Sequence, residues 1–501
     1  MNVDELIKRT DPAASLDIPR ADSPRAAEIF DTSLDMSLRD ERGSSRPRFG
    51  MPNLLKFVAA AAAVVVVSAI VVEALQSGRP STFPNAAIPT QTPGQWSLAG
   101  YIAQAGWQAS SSLGPLPTSL QATNQLVCPT ATTCFAAGID NRDVRRNSQG
   151  VIAVTHDGGS TWRQALAPND GTVFFSMTCV SASICKVIGE VTNSASTPVL
   201  YATDDGGQNW ARFAVPGPNM DVLQLGCSSS ADCVVFAAVP SSTVGTKPSE
   251  AFATVNGGQS WTSVVLPSSF APSGGAQPSL SCFTDAHCVA AGLVQQGKPG
   301  PWSVMMIYSN DSGATWYTAM TPPVRAMGVL ITCSSSQNCV SVASSQGASG
   351  IPTTSGVITT NDGGTTWTSA AARGLDSFSP GHPLVIDALA CASTGQCWAS
   401  GHLITSLCEG SCPYEPAQAV ILSSTDDGRT WESVALPTPP SASMQYETTY
   451  PVTCAGSSHC FAVGWLATTA VASAVSGASP VQQDVVLSWV PGNTSPADTK
   501  E

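Results

Sequence analysis

Six copies of one eight-residue pattern, Ser/Thr-x-Asp-x-Gly-x-x-Trp, constrain what this chain can fold into more than any other feature. They read THDGGSTW (155–162), TDDGGQNW (203–210), TVNGGQSW (254–261), SNDSGATW (309–316), TNDGGTTW (360–367) and STDDGRTW (424–431). An apolar run such as VIAV, FATV or VILS precedes each copy, and a short strand-like run such as RQALAP or TSVVLP follows it. The pattern reads as strand, tight turn, strand. The carboxylate of Asp157, Asp205, Asp311, Asp362 or Asp426, or the amide of Asn256 in the third copy, can accept backbone N–H groups inside the turn. The glycine supplies a positive φ. The closing Trp162, Trp210, Trp261, Trp316, Trp367 or Trp431 opens the returning strand and can bury its ring between neighbouring sheets.

A second pattern interleaves with the first. C-x5-C occurs seven times, as Cys128/Cys134, Cys179/Cys185, Cys227/Cys233, Cys282/Cys288, Cys333/Cys339, Cys391/Cys397 and Cys454/Cys460. Turn-forming residues fill each gap and apolar residues flank it, so each pair sits at the two ends of a hairpin turn and can close it as a disulfide. Successive first cysteines step by 51, 48, 55, 51, 58 and 63 residues. A period near fifty, with one strand on each side of the cysteine turn and one on each side of the aspartate turn, predicts seven four-stranded units. The expected fold class is all-β, a seven-bladed β-propeller.

Seven cysteine pairs against six tryptophan turns leaves one strand short at the C-terminal end. The last apolar run, DVVLSWVPGN, places Pro491 where the aspartate should be, and no returning strand follows. The compensating strand is expected at the start of the domain. Trp107 lies 55 residues before Trp162, about one period, so the stretch WQASSSLGPLP is expected to complete the seventh sheet and close the ring without an open edge.

The segment Leu54–Leu75, with no charge from Phe57 to Val72, spans roughly 33 Å as a helix and matches a bilayer core. Arg39, Arg42, Arg46, Arg48 and Lys56 precede it and Arg79 alone follows closely, so the N-terminus is expected inside the cell and residues 77–501 outside. A leader of more than 50 residues before the apolar run is unlike a cleaved signal peptide, which favours an uncleaved single-pass plasma-membrane anchor. The expected organisation is a cytoplasmic, mostly disordered tail over 1–53, a transmembrane helix over 54–75 and a Pro/Thr-rich linker over 76–95. The extracytoplasmic propeller follows over 96–492, then a disordered tail over 493–501. Sixteen cysteines suit an oxidising location on that side of the membrane. Scarce lysine and abundant alanine fit a high-GC bacterium. Residues 77–501 carry 13 Lys/Arg against 24 Asp/Glu, an acidic balance that argues against nucleic acid as a partner.

These motifs resemble the BNR/Asp-box repeats of sialidases, sortilin-type receptors and the photosystem II assembly factor family, over about residues 96–492. The resemblance implies the propeller fold, with the aspartate turns on its rim and away from any active site. It does not imply an activity. A sialidase would need convergent arginines for the sugar carboxylate. Here no early Arg-Ile-Pro occurs, and Arg163, Arg212 and Arg429 fall within or just after aspartate turns.

The remaining candidates read as structural. In the pairs Asp204–Asp205 and Asp426–Asp427 one residue belongs to the turn pattern, so no metal is expected, and nothing calls for a cofactor. Cys408 and Cys412 lie in an insertion of the sixth unit and read as a local disulfide. His156, His287 and His459 fall in turns. Recognition is expected on the loops of unequal length between the second and third strands of each unit: 140–150, 241–250, 294–302, 344–356, 402–418 and 466–483. The first holds the basic cluster Arg142, Arg145 and Arg146, the candidate ligand loop. The expected function is a non-catalytic binding or scaffold module for a protein or glycan ligand. The alternatives are a sialidase-like glycoside hydrolase and an assembly factor for a membrane complex.

Overall fold

In the computed structural model, blade 1 takes strands β2 (Gln125–Val127), β3 (Cys134–Asp140), β4 (Gln149–Thr155) and β5 (Arg163–Leu166). Blade 2 takes β6 (Thr172–Cys179), β7 (Cys185–Val191), β8 (Thr197–Thr203) and β9 (Ala211–Ala214). Blade 3 takes β10 (Asp221–Cys227), β11 (Cys233–Ala238), β12 (Glu250–Thr254) and β13 (Thr262–Val264). Blade 4 takes β14 (Ser279–Cys282), β15 (Cys288–Gln295), β16 (Trp302–Ser309) and β17 (Tyr317–Thr318). Blade 5 takes β18 (Gly328–Cys333), β19 (Cys339–Gln346), β20 (Pro352–Thr360) and β21 (Thr368–Ala370). Blade 6 takes β22 (Leu384–Cys391), β23 (Cys397–Leu403), β24 (Gln418–Ser424) and β25 (Glu432–Val434). Blade 7 joins β26 (Met444–Ala455), β27 (His459–Thr468) and β28 (Gln482–Trp489) to β1 (Trp96–Tyr101) from the other end of the domain. The structure describes residues 95–101, 125–140, 149–191, 197–217, 220–238, 250–268, 270, 278–295, 302–346, 352–370, 375, 384–403, 418–439, 444–456, 459–468 and 482–490.

The first strand of each blade touches the first strand of the next, and β26 meets β2, so these strands ring the axis and the fourth strands lie outermost. Seven apolar clusters fill the seven junctions between blades. The cluster of Ala99, Phe461 and Val486 with Leu126, Ala136 and Trp162 packs blade 7 onto blade 1. Each sheet is covered on both faces, which is why its second and third strands read as continuous apolar runs rather than as an alternation.

Seven described disulfides join first to second strands: Cys128–Cys134, Cys179–Cys185, Cys227–Cys233, Cys282–Cys288, Cys333–Cys339, Cys391–Cys397 and Cys454–Cys460. Their Cα atoms lie 3.9–4.1 Å apart. In the loop-entropy picture, closing so short a loop contributes on the order of 2 kcal/mol per bridge. Seven such bridges suit an oxidising environment.

Cys454 and Cys460 form their bridge but do not sit where the spacing puts them, at the two ends of the turn. In blades 2 to 6 the first cysteine ends its strand and the second begins the next. In blade 7 Ala455 still pairs with His459, so the ladder runs one residue past the bridge and Cys460 is the second residue of β27. Cys460 also faces a different partner. Its counterparts lie opposite the Ser or Thr that opens an aspartate turn, whereas Cys460 lies opposite Trp489. The reason is that β28 runs into no aspartate turn, so no hydroxyl of that kind is available. Cys460 is instead buried with Trp489 in the apolar cluster shared with blade 6.

The ring closes with an N-terminal strand, but not the one that spacing selects. β1 pairs antiparallel with β28, Trp96 opposite Trp489 and Ser97 opposite Ser488. Ser488 therefore plays the part of Val154, which pairs with Arg163 directly after Trp162. Trp96 is the register equivalent of the motif tryptophan. It is buried and meets Trp398 of blade 6 edge-on at 5.1 Å, while Trp316 packs tilted against Phe236 of the preceding blade at 5.3 Å. Trp107 lies outside the described residues. Spacing misplaces the strand because no aspartate turn joins β28 to its outer partner, so nothing local ties that tryptophan to the period.

The expected span over 54–75 also lies outside the described residues, as do Cys408, Cys412, Arg142, Arg145 and Arg146. Among the described residues no helix is long and apolar enough to cross a membrane.

Candidate functional site

The two ends of the propeller are built differently. In blades 1 to 6 each second strand starts, and each third strand ends, at the same end of the sheet: Cys134 pairs with Thr155, Cys185 with Thr203 and Cys397 with Ser424. Cysteine turns and aspartate turns therefore lie side by side. At the first aspartate turn the Thr155 hydroxyl donates to Asp157 Oδ1 at 2.8 Å and accepts from the Gly159 N–H at 3.0 Å. Asp157 accepts the Thr161 N–H at 2.8 Å and its hydroxyl at 2.5 Å. Trp162 Nε1 donates to the Gly159 carbonyl at 3.0 Å, as do the indoles of Trp316, Trp367 and Trp431 to their own turn glycines. The indole nitrogens of Trp210 and Trp261 are buried with no hydrogen-bond partner among the described residues. Asn256 reproduces the scheme without charge, accepting the Ser260 N–H and donating its own amide to the Ser260 hydroxyl. Side chains at the seventh position (Thr161, Asn209, Ser260, Thr315, Thr430) bond the third. That polar position went unrecognised in the sequence although it never holds an apolar residue.

The fourth residue of every turn has a left-handed backbone, including Ser312 (φ 60°) and Asp427 (φ 55°). Its N–H donates at 2.7–3.1 Å to the carbonyl of the residue two before the second cysteine of the same blade. The cysteine turns also reach the next blade. Ser228 Oγ donates to Ser312 Oγ, Ser334 Oγ donates to Asp427 Oδ1, and His287 Nε2 lies 2.7 Å from the Gly363 carbonyl. Among the described residues this end is a girdle of structural bonds, tied across the junctions of blades 3 to 6, in which the turn carboxylates are already engaged.

Those carboxylates link the girdle to pH. Burial opposes the charge of Asp157, Asp311, Asp362 and Asp426. Hydrogen bonds from the seventh residue and the first hydroxyl more than offset it, so all four titrate below the ordinary aspartate range. At Asp205 the Asn209 N–H and side chain dominate and hold it at about 2. A carboxyl depressed in the folded state stabilises the fold above its unfolded pKa and loses that contribution as pH falls through the folded one. The stability these carboxylates supply should hold steady down to about pH 4, the unfolded aspartate value, and below it the unfolding midpoint should drop towards pH 2. Asp157→Asn should flatten part of that drop, as the neutral Asn256 turn already does at its own site. An acid limb identical in the variant would contradict this assignment.

The opposite end carries the connections between second and third strands. Most of each expected loop lies outside the described residues, and the strand ends show where they depart: 141–148, 192–196, 239–249, 296–301, 347–351, 404–417 and 469–481. Axial strands of blades 2, 3, 6 and 7 bulge towards this end, after Phe174, Val222, Ile386 and Tyr446. Gly189 and Gly401 face two of the bulges, where a Cβ would collide with the carbonyls of Val173 and Val385.

The blade 6 bulge displaces Asp387, whose Oδ2 lies 2.7 Å from Nδ1 of His402, the penultimate residue of β23. Both side chains are about three-quarters buried. Burial opposes the imidazolium, but the hydrogen bond and charge of Asp387 prevail and raise the His402 pKa. With Nδ1 engaged, Nε2 is the nitrogen left for an outside hydroxyl or anion. A raised pKa means the pair stabilises the fold fully below the unfolded histidine pKa of about 6.5 and loses that contribution as pH rises through the folded value. Asp387→Asn should bring the imidazole titration, followed by NMR, down towards the ordinary range. An unmoved titration would remove Asp387 as the cause. The pair escaped the sequence reading although Cys391–Cys397 sets its register, because the bulge that aligns it is invisible in the residue pattern.

No family model matches the chain, and no curated protein matches it. Solved structures do. A protein of unknown function from Dyadobacter fermentans is 12% identical, covering 80% of this chain and 99% of its own, with a TM-score of 0.39. A Hadza microbial sialidase is 12% identical over 69% of this chain and 73% of its own, TM-score 0.38. A family 25 polysaccharide lyase, an ulvan lyase, is 10% identical over 69% and 89%, TM-score 0.44.

Proposed function

We propose that this chain is a membrane-anchored, non-catalytic binding module whose propeller presents a protein or glycan ligand site, outside the cell, on the end opposite the girdle. One observation carries the reading: the two ends obey different rules. At the girdle end the cysteine turn always spans five residues and the aspartate turn keeps its spacing to the tryptophan, while the connections at the other end run from 192–196 to 404–417. Uniform turns maintain a frame, and unequal loops on a rigid frame are where recognition resides. His402, held by Asp387 at the root of the longest connection, supplies a polar contact there.

The test uses the purified full chain against a glycan panel and isolated surface proteins. Replacing 404–417 with a five-residue connection should remove binding and leave the thermal unfolding midpoint unchanged. Binding that survives shortening of each of the seven connections in turn would overturn the reading. The Asp387–His402 pair also favours a second reading, a hydrolase with His402 as base. Turnover of fluorogenic glycosides that is lost in His402→Asn would replace the binding reading with that one.

A further inference from the structure

The first residue after the second cysteine is apolar and buried in six blades: Phe135, Val234, Val289, Val340, Trp398 and Phe461. In blade 2 it is Lys186, itself only 5% exposed. Side chains alternate along β7, so Lys186, Ile188 and Glu190 share the face turned to blade 3, and Glu190 is buried as deeply. No other blade has a Lys, Arg, Asp or Glu at the first, third or fifth residue after its second cysteine. Along the strand Lys186 and Glu190 stand roughly 13 Å apart, too far to pair with each other. Lys186 Nζ instead donates to the Ser230 carbonyl in the cysteine turn of blade 3. The aspartate turn of blade 3 flanks it as well, since a Cβ on Gly257 would stand 3.7 Å from Nζ. That turn is the one whose third residue is neutral, Asn256. The apolar packing of this junction is also divided. Ile188, Leu200, Leu225 and Val235 belong to one cluster, Met220, Ala237 and Phe252 form another, and the partly buried Trp261 packs against both. Each of the other six junctions has a single cluster among the described residues.

We propose that blades 2 and 3 meet at a pH-sensitive seam where the ring opens, the Lys186 ammonium favouring the open form and the neutral amine the closed one. Water solvates an ammonium far better than this junction does, whereas both forms of the amine can donate to Ser230. Asp232, in the same cysteine turn as Ser230, is the charged group that acts on the amine from blade 3, and the Asn256 turn beside it adds no carboxylate. Burial outweighs Asp232 and lowers the Lys186 pKa to about 8. An open seam returns the amine to water and to its ordinary pKa of 10.5. Between the two values the open form binds more protons than the closed one. The closed ring therefore gains stability as pH rises from about 8 towards 10.5, and has none of that gain below 8. Each pKa unit is tenfold in the opening equilibrium, so the full change is on the order of a hundredfold.

The experiment places a free thiol in the seam, Ile188→Cys, or at the equivalent position of the junction between blades 5 and 6, Val342→Cys, and measures alkylation of the full chain by N-ethylmaleimide. At pH 7 the thiol of Ile188→Cys should react on the order of tenfold or more faster than that of Val342→Cys, and the ratio should fall towards one by pH 10. Adding Lys186→Met, which restores the apolar residue type of the other blades, should remove the difference at every pH. With no added thiol, Lys186→Met should raise the urea midpoint of the full chain at pH 7, and its lead should narrow as pH rises to 10. The proposal fails if the two thiols react alike at pH 7, if their ratio ignores pH, or if Lys186→Met leaves the seam thiol fast. A Lys186→Met chain no more stable than the unmodified one at pH 7 overturns it too, whether or not the thiol variants fold.

Discussion

Trp96→Ala lowers the unfolding free energy by about 3–5 kcal/mol, the loss expected for truncating a fully buried tryptophan, and it does so at the seam of the ring. Trp96 is 3% exposed and packs with Trp398, Ile421, Val485 and Leu487 in the cluster between blades 6 and 7. It anchors the sole described strand that ties the start of the domain to its end. Ser97, beside it, bonds Ser488 across 391 residues of sequence. An unpaired β28 would leave blade 7 with an open edge and uncover the junction with blade 1. Chemical denaturation measures the loss. Hydrogen exchange should show Val485–Ser488 losing protection while blades 3 and 4 keep theirs. An unchanged denaturation midpoint in Trp96→Ala would mean that the ring does not depend on this strand.

Gly428→Ala should lower stability by about 2–4 kcal/mol, although it adds a single methyl group. Two terms act together. Gly428 has φ +81°, a region in which an alanine is strained by about 1 kcal/mol or more. An added Cβ would also stand 2.5 Å from Val340 Cγ2 of blade 5, an overlap that typically costs about 1–3 kcal/mol to relieve. Gly456→Ala separates the terms, because Gly456 has φ +58° with nothing within 4 Å of its added Cβ, so only the conformational cost of about 1 kcal/mol remains. Adding Val340→Ala to Gly428→Ala should make the second change cheaper than it is in the unmodified chain. Strictly additive losses would show that the contact with blade 5 is not the source. The same close approach recurs at Gly159, Gly207, Gly258, Gly313 and Gly364, each against the preceding blade. The fifth residue of the turn is therefore both a hinge of the hairpin and a packing surface of the ring.

What could be read from residues alone was whatever recurs within one blade. The hairpin between Cys227 and Cys233, the turn from Thr254 to Trp261 and the four-strand count all follow from spacing, because the atoms that bond lie within a few residues of each other. Cys460 shows where that reading stops: the bridge to Cys454 is local and legible, but its strand partner Trp489 is set by the way the last sheet ends. The left-handed fourth position was masked by Ser312 and Asp427, which do not look like glycine substitutes until their N–H groups are seen bonding Ala286 and Gly395. Lys186 was unremarkable in the sequence, since a buried amine is acceptable only if a neighbouring blade offers it a carbonyl, and Ser230 lies 44 residues away. Asp387 and His402 were readable as a hairpin but not as a pair, for want of one bulge.

The amino-acid sequence by itself determined the blade: its strands, its disulfide, its aspartate turn, and that seven copies need a partner strand to close. Which strand closes them, and which side chains meet across the junctions, was decided only in the folded ring. Local turns are specified by bonds within one hairpin, where spacing is the geometry. The closure and the contacts of Trp96, Lys186 and Gly428 depend on surfaces brought together by packing, for which separation along the chain carries no information.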